Sequence, residues 1–212
     1  MPILVMKFGG TSVASTELIK KAAERVIARL GAKTINTRVC PVLFSPEMTS
    51  SLISSFLSAI NGSSIYKKSS FLIDKIDKKI FPDFVNIQED PSLSNGSATR
   101  PYDSEGVLTQ KKDIIKDGIL KTYLLDTYAA RKLKSKCTGN GVLTNILVSS
   151  KKPEANLLKN MTDGLYITDM MGSGANSLTG DYSRGAFGYL IKNGEIQYPV
   201  TEITVASNLL QM

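Results

Sequence analysis

Two Asx-Gly pairs constrain the fold of this chain more than any other feature of its sequence. Asp117-Gly118 lies within "KKDIIKDGILKTYLL", and Asn193-Gly194 lies within "GYLIKNGEIQYPV". Such pairs favour type I′ turns, in which both central residues have positive φ and the flanking strands pair antiparallel. The sequence therefore predicts two β-hairpins in the second half of the chain. A chain of repeated βαβ units would show strands alternating with crossover helices instead.

Helical patterns dominate the first third of the chain. Residues 16–30 carry apolar side chains along one helix face, and Ser15 is a candidate N-cap. Residues 39–44 predict a short strand, which Pro41 favours for a sheet edge because proline cannot donate to a ladder. A second helical pattern begins at Pro46. Together with the hairpins, these patterns predict an α+β fold with a mainly antiparallel sheet and a helical N-terminal third.

The absence of histidine limits the chemistry that this chain can perform. None of its 212 residues is histidine, so it can form neither a Ser-His-Asp triad nor an HExxH zinc helix. Its two cysteines, Cys40 and Cys137, are far apart and lack CxxC spacing. Because zinc sites use clusters of His and Cys, we expect no metal and no cofactor in this chain.

The distribution of charged and apolar residues bears on location and partners. No apolar run approaches the ~20 residues of a membrane span. Lys7 interrupts the N-terminal apolar run, which argues against a secretory signal. We therefore expect a cytoplasmic protein without a membrane partner. The net charge is +7, but most lysines are scattered in pairs, and only residues 131–136 form a dense basic cluster. Without an aromatic RNA-binding pattern beside it, we interpret this cluster as a solvated face and disfavour nucleic acid as a partner.

The opening string "KFGGTSV" has the composition of a phosphate-binding turn. Paired glycines expose backbone N–H groups, and a nearby lysine adds positive charge. The string resembles the N-terminus of aspartokinases, and the likeness implies a phosphate-binding role for Lys7, Gly9, Gly10, Thr11 and Ser12. A kinase also needs elements that hold a metal–nucleotide complex and an acceptor, and these do not follow. We therefore interpret the segment as a strand, turn and helix without a ligand.

Four carboxylates elsewhere are candidates for acid–base chemistry: Asp103, Glu105, Asp169 and Asp181. The sequence gives no distance between them, so no pair can be assigned as acid and base. Surface or turn roles are the favoured interpretation for each.

Several longer strings resemble the C-terminal half of PmbA (TldE) proteins of the TldD/PmbA family. The strings are "RPYDSEGV", "YLLDTYAARKL", "TGDYSRGA" and "NGEIQYPVTEITVASNL". The likeness implies two segments, an aspartokinase-like segment at 1–22 and a PmbA-like domain at 23–212. It also implies a strongly curved, barrel-like sheet.

The resemblance implies a non-catalytic subunit of a zinc peptidase complex that matures or degrades peptides. In this family TldD proteins carry a zinc-binding HExxxH helix, whereas PmbA proteins lack it and pair with TldD. The expected partners are thus a TldD-type subunit, which would hold the zinc, and a peptide substrate. The front of the chain departs from the family pattern, which suggests a truncated PmbA portion. The alternatives are a residual aspartokinase-like kinase fragment and a non-functional hybrid.

The string "TGDYSRG" provides the candidate site residues. By resemblance we expect it at a bend near a cavity shared with the partner, where it would shape the chamber or touch peptide backbone. Arg184 is the most informative of these residues, because a guanidinium can bind a carboxylate or several carbonyls. The candidates are Thr179, Gly180, Asp181, Ser183, Arg184 and Gly185.

Overall fold

Four helices and eight strands form the described part of the chain, residues 14–150 and 157–212 of a computed structural model. The helices are α1 (Thr16–Ile27), α2 (Pro46–Ala59), α3 (Gly62–Tyr66) and α4 (Thr127–Lys132). The strands are β1 (Val42–Phe44), β2 (Val85–Asp90), β3 (Lys112–Lys116), β4 (Ile119–Leu120), β5 (Asn145–Ser150), β6 (Asp163–Met171), β7 (Asp181–Lys192) and β8 (Glu195–Asn208). These residues form two compact units. The first unit comprises 14–49, 157–173 and 184–205, and the second comprises 50–150, 174–183 and 206–212.

The first unit contains a sheet with the strand order β1-β6-β7-β8. β6 and β7 pair antiparallel, whereas β1 pairs parallel with β6 and is an edge strand among the described residues, as expected from Pro41. Asn193 (φ 52°) and Gly194 (φ 77°) form the predicted turn between β7 and β8. The buried side chains of this sheet include Leu165, Ile167, Leu190, Ile191 and Val200.

Helix α1 belongs to the first unit and begins as the sequence predicts. The Ser15 hydroxyl accepts a hydrogen bond from the backbone N–H of Leu18 at 3.3 Å, which satisfies one of the free donors at the helix start. Only Ala22 of this helix is fully buried, and Ile19 and Ile27 remain more than half exposed. The predicted boundary between residues 22 and 23 falls within α1 and stays a prediction.

The second unit contains an antiparallel sheet with the strand order β4-β3-β2-β5. The predicted hairpin joins β3 to β4 through Asp117 (φ 49°) and Gly118 (φ 77°). Phe56 of helix α2 and Ile60, directly after the helix, pack into the main core. The other buried members of that core are Leu57, Ala59, Leu72, Ile87, Ile114, Ile115, Leu120 and Leu124.

The α+β class and the mainly antiparallel pairing are confirmed. Within the described residues, however, both sheets are open, with different strands at their two edges, so neither closes into a barrel. Asp126 is the N-cap of the short helix α4, which follows the first hairpin. No helix in residues 14–150 and 157–212 is long and apolar enough to cross a bilayer. The proposed phosphate turn at 7–12 lies outside the described residues.

Candidate functional site

The segment Thr179–Gly185 consists of a tight turn followed by the start of β7. Gly180 has φ +81°, a backbone conformation that favours glycine. Its N–H donates to the Asn176 carbonyl at 2.8 Å, and the Asn176 N–H donates to the Asp181 carbonyl at 2.8 Å. These reciprocal bonds close the turn.

The exposed Asp181 carboxylate is the centre of a small hydrogen-bond network in this turn. The Thr179 hydroxyl donates to its Oδ2 at 2.7 Å, and the Asn208 amide donates to its Oδ1 at 3.1 Å. The same amide donates to the Thr179 carbonyl at 3.0 Å. These bonds hold the pKa of Asp181 below its ordinary value, since hydrogen bonds to the ionised form favour it. Asp181 thus has the turn role expected from the sequence.

The remaining candidates lie on β7. Tyr182 is buried at 2% exposure, whereas Ser183 is exposed and Arg184 is half-buried. Gly185 pairs with Met171, and a Cβ added at Gly185 would lie 3.5 Å from that side chain, an ordinary contact. The backbone therefore favours glycine at position 180 but not at position 185.

A buried polar cluster in the second unit was not found from the sequence. Glu89 on β2 has a side chain only 1% exposed and pairs with Lys112 on β3, with 2.8 Å between Oε2 and Nζ. Its Oε2 also accepts from Asn140 at 2.8 Å, while its Oε1 accepts from the Thr144 N–H and hydroxyl, both at 2.9 Å. Lys112 donates further to the Thr138 carbonyl at 2.7 Å and to Asn140 Oδ1 at 2.9 Å. Both carboxylate oxygens and the ammonium are therefore satisfied.

The hydrogen bonds of this cluster outweigh the effect of burial on Glu89. Burial alone would raise the pKa of the carboxyl, but the bonds from Lys112, Asn140 and Thr144 lower it below its ordinary value. Glu89 is therefore ionised, and its partners hold the loop from Thr138 to Thr144 against β2 and β3. This is a structural role, because a carboxylate so enclosed has no open position for a substrate.

Asp103 and Glu105 organise a second loop in the same unit. Asp103 Oδ1 accepts from the N–H groups of Glu105 and Val107, both at 2.9 Å, and its Oδ2 accepts from Gly141 N–H at 2.8 Å. The Glu105 carboxylate accepts from the N–H of Thr127 at 2.7 Å and from its hydroxyl at 2.8 Å, at the start of α4. The strings "RPYDSEGV" and "YLLDTYAARKL" thus meet in space, and both carboxylates have turn and loop roles.

Asp169, in the first unit, forms an ion pair with Arg29 beside a cavity of about 180 Å³. The Arg29 guanidinium also lies over the Phe187 ring, 4.4 Å from its centroid. On the same cavity, Arg25 and Glu47 approach to 3.6 Å. Each cation faces a carboxylate, so the cavity carries no clear excess of charge.

The described residues do not assemble a metal site. No group of three or more His, Cys, Asp or Glu side chains converges anywhere in residues 14–150 and 157–212. The Cys137 thiol donates to the Leu125 carbonyl at 3.4 Å and accepts from the Gly139 N–H at 3.5 Å. Cys40 and Cys137 are both free thiols.

Comparison with known proteins identifies the family. Residues 37–212 match the family description "PmbA/TldA metallopeptidase C-terminal domain". The chain belongs to this PmbA/TldD family. Metalloprotease PmbA of Escherichia coli O157:H7 is 47% identical over 192 residues, which cover 90% of this chain and 43% of that protein. A PmbA homologue of Haemophilus influenzae is 46% identical over 199 residues, which cover 91% of this chain and 44% of that protein. The chain thus spans less than half the length of these relatives.

Solved structures of the family share the fold. A Bacteroides thetaiotaomicron protein, described as a candidate modulator of DNA gyrase, superposes with a TM-score of 0.86 at 35% identity and covers 91% of this chain and 44% of that one. TldE of Thermococcus kodakarensis superposes with a TM-score of 0.81 at 21% identity. The superposition covers 92% of this chain and 47% of that one. The latter likeness concerns the fold alone.

The metal that the family description suggests has no matching set of ligands among the described residues. The sequence has no histidine, and its described part brings together no set of acidic or thiol ligands. Structural and catalytic zinc sites need three or four such ligands around one point. No step of metal chemistry can therefore be assigned to the described side chains.

Proposed function

We propose that this chain is a non-catalytic, PmbA/TldE-like component of a TldD/TldE-type zinc metallopeptidase complex that matures or degrades peptides in the cytoplasm. The observation that carries the proposal is a chain of a metallopeptidase family without a single histidine. A metal-dependent peptidase must hold its ion through several ligands. A partner subunit would therefore supply the zinc and the bond-breaking chemistry.

In this proposal the segment Thr179–Gly185 faces the peptide or the TldD-type partner. Two observations support it. The Asp181 carboxylate is exposed and held in one orientation by Thr179 and Asn208, so it can accept a hydrogen bond without further ordering. Ser183 is exposed two residues further along β7. These side chains would shape the chamber or bind peptide backbone, with no part in cleavage.

The decisive experiment is co-expression of the chain with a TldD-type subunit. We expect the two proteins to co-purify and the mixture to cleave a test peptide. We expect Arg184→Ala to keep partner binding but to lower turnover, because its guanidinium would position peptide carbonyls. The matched control is Arg38→Ala, which removes a guanidinium that pairs with Asp163 at 2.8 Å in the first unit.

Each outcome has a defined meaning. Failure of the unaltered chain to bind any TldD-type subunit contradicts the partner-subunit proposal. If binding and cleavage are equal for Arg184→Ala, Arg38→Ala and the unaltered chain, Arg184 is part of the framework and the assigned role of the segment is wrong. Loss of folding in Arg184→Ala would show in circular dichroism, and Arg184→Lys then tests the guanidinium with the positive charge retained.

A further inference from the structure

A groove of about 600 Å³ lies in the second unit, between the segment that contains α3 and the end of α4. Its floor is apolar and is formed mainly by Ile65, Ile73, Ile76, Leu125 and Leu133. Side chains of Lys68, Lys132 and Asp74 lie at its rim. The groove can thus accommodate one or two large apolar side chains, and its rim carries an excess of positive charge.

The floor of the groove is fixed by hydrogen bonds rather than by flexible packing. The Tyr123 hydroxyl donates to the Leu72 carbonyl at 2.7 Å and accepts from the Lys75 N–H at 3.3 Å. Leu72 itself is buried at 1% exposure in the main core. The groove wall is therefore anchored to the core, and binding there would cost little ordering of the protein.

The positive charge at the groove continues along α4. Residues 127–136 contain four basic side chains and no acidic one, and Lys67 and Lys68 follow α3. Within the described residues, none of these six cations forms an ion pair. Two nearby acids are engaged elsewhere, since Asp126 caps α4 by accepting from Ala129 N–H and Asp77 binds Lys121 at 2.8 Å. The six cations thus outnumber Asp74, the acidic side chain that lines the groove.

The aromatic side chains of the cluster favour a peptide over a nucleic acid. Tyr66 and Tyr128 pack edge to face with centroids 5.5 Å apart. Lys67 lies over the Tyr66 ring and Lys132 over the Tyr128 ring, at 5.7 and 5.4 Å. Rings engaged in this way do not present the free faces on which bases stack. Aliphatic floor residues instead suit aliphatic side chains.

We propose that this groove binds an acidic peptide segment whose aliphatic side chains enter the floor while its carboxylates face the lysines of the rim. A second copy of this chain is a poor occupant, because like charges of two basic chains repel. Burial of one or two aliphatic side chains provides affinity. The complementary charge increases the association rate and the selectivity for acidic peptides. The inference does not depend on the partner-subunit proposal, because it concerns another part of the chain.

The test is fluorescence anisotropy of the full chain with a short labelled peptide in which two leucines are flanked by glutamates. We expect saturable binding that weakens as salt is added, because exposed charges are screened. The double substitution Lys68→Glu/Lys132→Glu should weaken binding at least about tenfold. Both side chains are exposed, so the fold should persist, and the milder Lys68→Gln/Lys132→Gln serves if it does not.

The matched control is Lys20→Glu/Lys192→Glu, which changes the net charge equally at exposed positions of the first unit. This control should bind the acidic peptide within about twofold of the unaltered chain, and a peptide with lysines in place of the glutamates should not bind. Equal weakening by both double substitutions would show attraction to net charge alone and overturn the proposal. Absence of binding, or tighter binding of a single-stranded oligonucleotide with the same dependence on Lys68 and Lys132, would also overturn it.

Discussion

Two hydrogen-bonded carboxylates, Glu89 and Asp181, occupy opposite kinds of environment in this chain. Both have a pKa below the ordinary value because side-chain donors stabilise the ionised form. Glu89, however, is 1% exposed and its partners come from two distant stretches of the sequence, β3 and the loop from Thr138 to Thr144. Asp181 is exposed and is bonded to Thr179, two residues away, and to Asn208.

The difference separates a carboxylate that specifies the fold from one that is available to another molecule. Removing a buried charge partner leaves the other charge without compensation, which is costly. Removing an exposed hydrogen-bond acceptor costs little, because water replaces it. Glu89 should therefore govern stability, whereas Asp181 should affect only its turn and whatever molecule contacts it.

The largest effect is expected from breaking the buried pair. Glu89→Gln leaves the Lys112 ammonium without its carboxylate, and we expect the free energy of unfolding to fall by about 3 kcal/mol. Denaturant unfolding measures this. Lys112→Met should also destabilise the chain, and the double substitution should cost less than the sum of the two single ones by more than about 1 kcal/mol. Additive effects would mean that the two groups do not act as a pair.

The second prediction compares a glycine of the hairpin next to the Glu89 cluster with a glycine of the turn that contains Asp181. Gly118 and Gly180 both have positive φ, but a Cβ at Gly118 would overlap the backbone carbonyl of Phe81, whereas at Gly180 it would meet side-chain atoms of Asn208 and Phe71 at 3.2 Å. We expect Gly118→Ala to cost about 2–4 kcal/mol through strain and overlap together. Gly180→Ala should cost about 1 kcal/mol. Equal thermal unfolding midpoints for Gly118→Ala and Gly180→Ala would contradict the conclusion that Gly118 is the more tightly enclosed glycine.

The sequence predicts those parts of this fold that depend on neighbouring residues. Ser15 before α1, Asp126 before α4 and the Asp117-Gly118 pair carry their signals within a few positions. Short-range patterns of this kind report backbone conformation directly. The string around Asp181 is instead selected by its family resemblance, and one partner of its carboxylate, Asn208, lies 27 residues away.

The strand β2 and its Glu89 cluster could not be found in this way. The partners Lys112, Asn140 and Thr144 are 23 to 55 residues away from Glu89 in the sequence, and no spacing rule connects them. One signal was present: Ile87 and Glu89 lie on the same face of a strand, so a charge follows an apolar residue at an inward position. Only the three-dimensional pairing of β2 with β3 shows what compensates that charge.

A third prediction concerns pH. The pKa of Asp90 is lowered to about 2 by hydrogen bonds from Lys111 and Ser92, and that of Glu89 is lowered as well. A carboxyl whose pKa is lower in the folded state stabilises the fold at any pH above its unfolded-state pKa, which is about 4. This stabilisation is lost as the pH falls through the folded-state pKa. The free energy of unfolding should therefore decrease from about pH 5 to pH 2. Glu89→Gln should flatten this decrease, and an unchanged slope would contradict the role of Glu89.

The smallest effect on stability is expected from Asp181→Asn. Its carboxylate is exposed, so the denaturation midpoint should not change within experimental error. The local turn should loosen, because Thr179 and Asn208 lose a charged acceptor. Hydrogen exchange should thus accelerate at the Asp181 and Leu209 amides and nowhere in β2 or β3. A large shift of the midpoint would show that Asp181, like Glu89, specifies the fold.

The most direct test of the proposed role is a zinc measurement on the purified chain, alone and after co-purification with a TldD-type subunit. The account predicts no stoichiometric zinc and no peptide cleavage for the chain alone, because it has no histidine and its described residues form no metal-ligand cluster. It predicts zinc and cleavage in the complex, both abolished by substitutions in the partner. One zinc per chain in the isolated protein, lost on Cys40→Ser or Cys137→Ser, would contradict the account.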